Sequence, residues 1–102
     1  RMLLFEDIVT LDSISIQRFL RDADTKDLLI ALKGSSKDVA DVFYENMSSR
    51  MRDTMQEDAK YLHGVRLSEV EEAQQRLVAL VRKLDEAREI VITRGRKDEI
   101  LV

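Results

Sequence analysis

The sequence predicts an all-α fold, a compact bundle of about six helices ending in a short extended C-terminal tail. Three observations carry that prediction. Proline is absent and glycine occurs only three times, at Gly34, Gly64 and Gly95, so little interrupts a helix. Leu, Glu, Lys, Arg, Ala and Gln are abundant, and these residues lose little freedom in a helix. Apolar residues also recur three and four apart between serines and aspartates placed to cap helix N-termini.

Taken in order, Phe5 to Leu11 predicts a short helix or helical turn. Asp12 caps the next helix, with Ile16, Phe19, Leu20 and Ala23 on one face. Asp24 or Thr25 caps a third, Lys26 to Lys33, whose run Leu28-Leu29-Ile30-Ala31-Leu32 belongs in a core; Gly34 is expected to close it in a left-handed conformation. Ser35 or Ser36 starts a fourth helix with Val39, Val42 and Phe43 inward. After Asn46-Met47-Ser48, Ser48 or Ser49 caps a fifth helix to about Leu62, with Met51, Met55, Ala59 and Leu62 as its buried stripe. Ser68 and Glu71 have the spacing of a capping box and predict the longest helix, Ser68 to Ala87, about 30 Å long. Its residues Val70, Ala73, Leu77, Leu80, Leu84 and Ala87 alternate three and four apart. Fewer than three heptads, together with Val78 and Val81, favour a core helix over a coiled coil. Residues Glu89 to Thr93 are expected as an extended segment packed on the bundle, and Arg94 to Glu99 as a polar tail.

At 102 residues the chain is one domain with room for a core. Its net charge of −3 arises from 17 basic and 20 acidic residues, without the basic excess that nucleic-acid binding needs. Nor is Asp12 to Gly34 a DNA-reading helix-turn-helix, because its second helix offers Leu-Leu-Ile-Ala-Leu where base edges require Arg, Asn or Gln. There is no cysteine, which excludes disulfides and Cys-based zinc sites and fits a reducing compartment. No apolar run approaches the ~20 residues of a membrane-spanning helix. The chain opens at Arg1 rather than methionine, which predicts a domain excised from a longer protein.

Bond-making chemistry finds no support. His63 is the only histidine, placed at a helix end where it needs no special role. Glu57-Asp58 and Glu71-Glu72 are adjacent, so each pair splays about 100° around its helix and forms no tight carboxylate site. Glycine-rich phosphate loops, nucleophile elbows and zinc-helix motifs are absent. The sequence predicts a non-enzyme without cofactor or metal.

The unusual segment is Asn46 to Arg66. Arg50 and Arg52 occupy the first turn of its helix and Glu57 and Asp58 lie toward the other end, opposite to what the helix dipole favours. Asp53 and Glu57 add a like-charge pair at i,i+4, which costs roughly 0.2–0.5 kcal/mol. Arg50, Asp53, Glu57 and Tyr61 share a flank away from the apolar stripe. Charges set against their own helix suggest an external partner, although composition and spacing alone fit a solvated face.

The chain resembles the C-terminal domain family of the flagellar motor switch protein FliG. The likeness runs through Phe5-Glu6-Asp7-Ile8, Asp12 with Ser15-Ile16-Gln17-Arg18, and Asp24 with Leu28-Leu29-Ile30-Ala31-Leu32-Lys33-Gly34. It continues in Asn46-Met47-Ser48-Ser49-Arg50, Val65-Arg66-Leu67 and Val70-Glu71-Glu72-Ala73-Gln74. The resemblance implies an armadillo-like helical domain of a rotor-ring subunit. One of its helices would face the cytoplasmic loop of the stator ion-channel subunit. The family's charged positions fall on Lys33, Arg50, Glu57, Asp58 and Arg66, with their signs kept.

The resemblance also implies a hydrophobic hinge at Met2, Leu3, Leu4 and Phe5, hence a hinge segment over 1–5 and a motor domain over 6–102. Implied partners are the stator loop, other switch-ring subunits and neighbouring copies, at the cytoplasmic face of the inner membrane in the flagellar basal body, without membrane insertion. A ring-assembly scaffold, or a diverged paralogue with weakened stator coupling, is the alternative. Four departures stand out, one being Met51 and Arg52 where small residues often follow Arg50. Leu3 replaces a phenylalanine of the hinge, His63-Gly64-Val65-Arg66 replaces a Gly-Pro-Val-Arg turn, and Arg88 replaces the usual glycine near the end of the last long helix.

Overall fold

The computed structural model describes residues 2–92. A 3-10 helix, Phe5–Thr10, leads into α1 (Ser13–Asp22), α2 (Thr25–Lys33), α3 (Lys37–Glu45), α4 (Ser49–Ala59) and α5 (Leu67–Glu86). No strand occurs among the described residues.

Four starts are fixed by the expected side chains. Asp12 accepts from the Ser15 N–H at 2.6 Å, which holds its carboxyl below the usual range. Asp24 accepts from Lys26 and Asp27 at 2.9 and 3.1 Å. Ser36 caps α3 through Val39 at 3.2 Å, and Ser48 caps α4 through Met51 at 3.1 Å. Each satisfies N–H groups that the first helical turn leaves unpaired.

The frame is α2 laid along α5. Leu28, Ile30, Ala31 and Leu32 are buried on α2, and Val70, Ala73, Leu77, Val81 and Leu84 on α5. Polar contacts at the edge fix the register. Gln74 donates to the Ala31 carbonyl at 3.2 Å, and the Arg76 guanidinium grips both Asp27 oxygens at 2.8–3.2 Å. Phe43 of α3 closes the other side, stacked on Phe5 at 5.3 Å and tilted against Phe19 at 6.2 Å.

Several details differ from the sequence-based expectations. Gly34 is not left-handed, with φ −95° and ψ 4°. A Cβ there would come within 2.4 Å of Val70 Cγ1, so glycine is needed for the close approach of α5. The long helix begins at Leu67, and the capping glutamate is Glu69, whose Oε1 accepts from the Arg66 N–H at 3.3 Å. Val65 and Val70, which flank that cap as a hydrophobic staple does, both join the core, and this packing sets the helix start in place of Ser68 and Glu71. Val81 is fully buried whereas Ala87 is exposed. Beyond α5, by contrast, the chain packs on the bundle as expected, with Ile90 buried and Ile92 against the core. Thr93 and the polar tail Arg94 to Glu99 lie outside the described residues.

The end of α5 has a feature of its own. Arg88 takes φ +61°, the only non-glycine residue with positive φ among those described. Its N–H bonds to the Asp85 carbonyl at 3.0 Å and the Glu89 N–H to Leu84 at 2.9 Å, the paired bonds of a Schellman motif. The residue in the left-handed position is therefore an arginine, where glycine would be unstrained. Arg18 of α1 fastens this turn, holding Asp22 at 3.0 Å and Glu89 through both Nε and a terminal nitrogen. Those two carboxylates push the Arg18 pKa up, Asp22 foremost.

Candidate functional site

The expected surface centres on α4, which runs Ser49–Ala59, shorter than the expected span to Leu62. Lys60, Tyr61 and Leu62 follow in tight i→i+3 turns, with N–H bonds of 3.1–3.2 Å to Glu57, Asp58 and Ala59. Of the expected stripe, only Met55 is fully buried, while Met51, Ala59 and Leu62 are half-buried. Among the five α-helices described, α4 alone has neither an acid in its first turn nor a base in its last.

All five charged positions are exposed. Lys33, Arg50 and Asp58 make no side-chain hydrogen bond or ion pair among the described residues. Glu57 meets Lys60 at 3.0 Å, and Arg66 lies 4.0 Å from Glu69; exposed pairs of this kind contribute about 0–1 kcal/mol. The fold relates the elements that carry them. Arg50, Glu57 and Asp58 share α4, which packs against α2, and α2 ends in Lys33. Gly34, the next residue, fits against Val70 in the first turns of α5, and Arg66 is the N-cap of that helix.

Arg52 has a different purpose. It reaches back to the end of α3, donating from Nε to the Tyr44 carbonyl at 3.1 Å and from a terminal nitrogen to Met47 at 3.2 Å. The cation that is unfavourable for α4 thus adds a second donor to the Tyr44 carbonyl, which also accepts from the Met47 N–H at 3.2 Å, and supplies one to the Met47 carbonyl just past the end of α3. An arginine a few residues past a helix C-terminus is the sequence signal for such a role. Arg50, two residues earlier, has no such partner among the described residues.

The hinge residues alternate. Leu3 and Phe5 are buried in the core, while Met2 and Leu4 are exposed. Leu3 is thus part of this domain's own packing. His63 is exposed. Gly64 takes φ +65° with nothing near its Cβ position, so glycine serves backbone conformation alone in that turn. Among the described residues there is no cluster of three or more metal-ligating side chains and no helix long and apolar enough to cross a membrane.

Comparison with known proteins agrees with this architecture. The family model of the FliG C-terminal domain matches residues 1–92. The flagellar motor switch protein FliG of Bacillus subtilis is 53% identical over 102 residues, which are all of this chain and 30% of that protein. FliG of Thermotoga maritima is 46% identical over the same share. The chain thus spans about a third of the length of these curated relatives. The crystal structure of FliG residues 116–343 from Helicobacter pylori superposes with a TM-score of 0.85 at 43% identity, over 89% of this chain and 40% of that one. Full-length FliG from Aquifex aeolicus gives 0.79 at 38% identity, over 83% and 26%. The match over residues 1–92, the sequence identities and the shared fold make this chain a member of the FliG C-terminal domain family.

Proposed function

We propose that the chain is the rotor domain of a flagellar motor switch subunit, in which α4 receives force from the cytoplasmic loop of the stator ion-channel subunit. One observation carries this reading: α4 presents exposed charges that oppose its own dipole, and Lys33, Arg50 and Asp58 have no counter-charge among the described residues. Exposed ion pairs of about 0–1 kcal/mol, screened over about 10 Å at 0.1 M salt, suit a contact that forms and releases as the rotor turns. Arg50 and Glu57, about two turns apart, give the face a polarity that a complementary surface can read. The domain acts by contact rather than by bond-making chemistry, as part of the switch ring at the cytoplasmic face of the inner membrane. The segment 1–5, anchored in this domain by Leu3 and Phe5, serves as the hinge junction at which the domain reorients when rotation reverses.

The test is charge reversal in the full-length protein within its own bacterium. Arg50→Glu or Asp58→Lys leaves folding and ring assembly intact while rotation fails, and a matching reversal on the stator loop restores it. Failure of ring assembly with normal folding would instead favour a scaffold role. That second reading has its own support in a groove of about 650 Å³ between the N-terminal segment and α5, lined by Leu4, Phe5, Gln74, Val78, Ala79 and Arg82.

A further inference from the structure

We propose that Tyr61 and Leu67 form an apolar anchor beside the charges, so that the partner grips this face through a hydrophobic contact as well as ion pairs. The inference rests on the stator-facing reading above and concerns the chemistry of that partner. Tyr61 is 75% exposed and Leu67 72%; Tyr61 lies in the link that joins α4 to α5, and Leu67 is the first residue of α5. The same link turns Leu62 and Val65 toward the core, and Gly64 bends it through φ +65°. The backbone is thus pinned by its inward residues while Tyr61, Arg66 and Leu67 face solvent.

Position ties each apolar group to a charge. The Tyr61 N–H bonds to the Asp58 carbonyl at 3.1 Å, so the tyrosine continues the α4 spiral one turn beyond Glu57 and Asp58, where side chains three and four apart are neighbours. Leu67 directly follows Arg66. Single exposed apolar residues are ordinary, but here two border three of the named charges. A tyrosine with an apolar ring and a polar tip suits a contact that is wet on one side. The complementary partner presents an apolar socket with cations beside Glu57 and Asp58 and an anion beside Arg66. Charge alone would be screened away at high salt, whereas burial of apolar area is not.

The experiment measures binding of the full-length protein to the stator's cytoplasmic loop, attached to a carrier, at 0.05 and 0.5 M NaCl. Wild type retains part of its affinity at the higher salt. Tyr61→Ala with Leu67→Ala weakens binding about tenfold or more and abolishes the salt-resistant part. Tyr61→Phe, which keeps the ring, binds as wild type does. Thermal unfolding of the double variant stays at the wild-type midpoint, since neither side chain is buried. Loss of binding on neutralising Arg50 and Asp58, with the double alanine variant unaffected at both salts, would overturn the anchor and leave the stator reading standing. Absence of any wild-type binding would overturn both.

Discussion

Helices α2 and α4 pack against each other yet spend their residues in opposite ways. Over nine residues α2 buries Leu28, Ile30, Ala31 and Leu32, and it follows the dipole rule with Asp27 in its first turn and Lys33 in its last. Over eleven residues α4 fully buries only Met55 and inverts that rule. The Asp27 charge is gripped by Arg76 of α5, whereas Arg50 and Asp58 have no such partner among the described residues. A helix that belongs to the frame is held by packing and internal pairs. A helix that presents a face needs one good cap, one buried knob, and side chains left for others. Such a face is affordable only because α2 and α5 carry the stability.

The largest effect should come from breaking the frame. Leu28→Ala removes a fully buried side chain and should destabilise the domain by about 2–5 kcal/mol, read as a drop in the thermal or urea midpoint. Next comes the fit between α2 and α5. Gly34→Ala should cost about 1–3 kcal/mol through overpacking. The same change in a Val70→Ala background should cost less, a coupling that a double-mutant cycle measures.

Within α4 the two arginines should separate. Arg52→Gln forfeits the hydrogen bonds to Tyr44 and Met47 and should lose about 1 kcal/mol, seen as faster amide exchange where α3 ends. Arg50→Gln should change stability by less than about 0.5 kcal/mol. Arg88→Gly should act in the opposite direction, gaining up to about 1 kcal/mol by relieving the left-handed strain at Arg88. In that background, the stability of α4 charge variants can be compared with a wider margin.

What the sequence made legible was local. Asp12, Ser36 and Ser48 cap the helices they were expected to cap, because the bond lies within one turn. Gly34 was expected to be left-handed because a glycine after a helix usually is; its real reason, Val70, comes from another helix. The capping box was misplaced because Arg66 and Ser68 both precede a glutamate by three residues, and the burial of Val65 and Val70 chooses between them. Arg52 reads from sequence like Arg50, as a charge set against its own helix, because its partners are carbonyls beyond the helix that carries it. Nothing local to Arg88 marks it as special; only the backbone shows that it occupies a position where glycine would be unstrained. Of the candidate site, charge order and exposure were readable. That Tyr61 shares the charged flank was readable as well; that Glu57 already pairs with Lys60, and that Leu67 stands outward beside Arg66, needed the fold.

The central claim is that the charges on α4 and its borders serve a partner rather than the fold. Its most direct test is to neutralise Lys33, Arg50, Glu57, Asp58 and Arg66 together in the full-length protein, and to measure swimming beside the thermal unfolding midpoint. Swimming should be lost while the midpoint moves less than it does for Leu28→Ala. Undiminished swimming would contradict the claim.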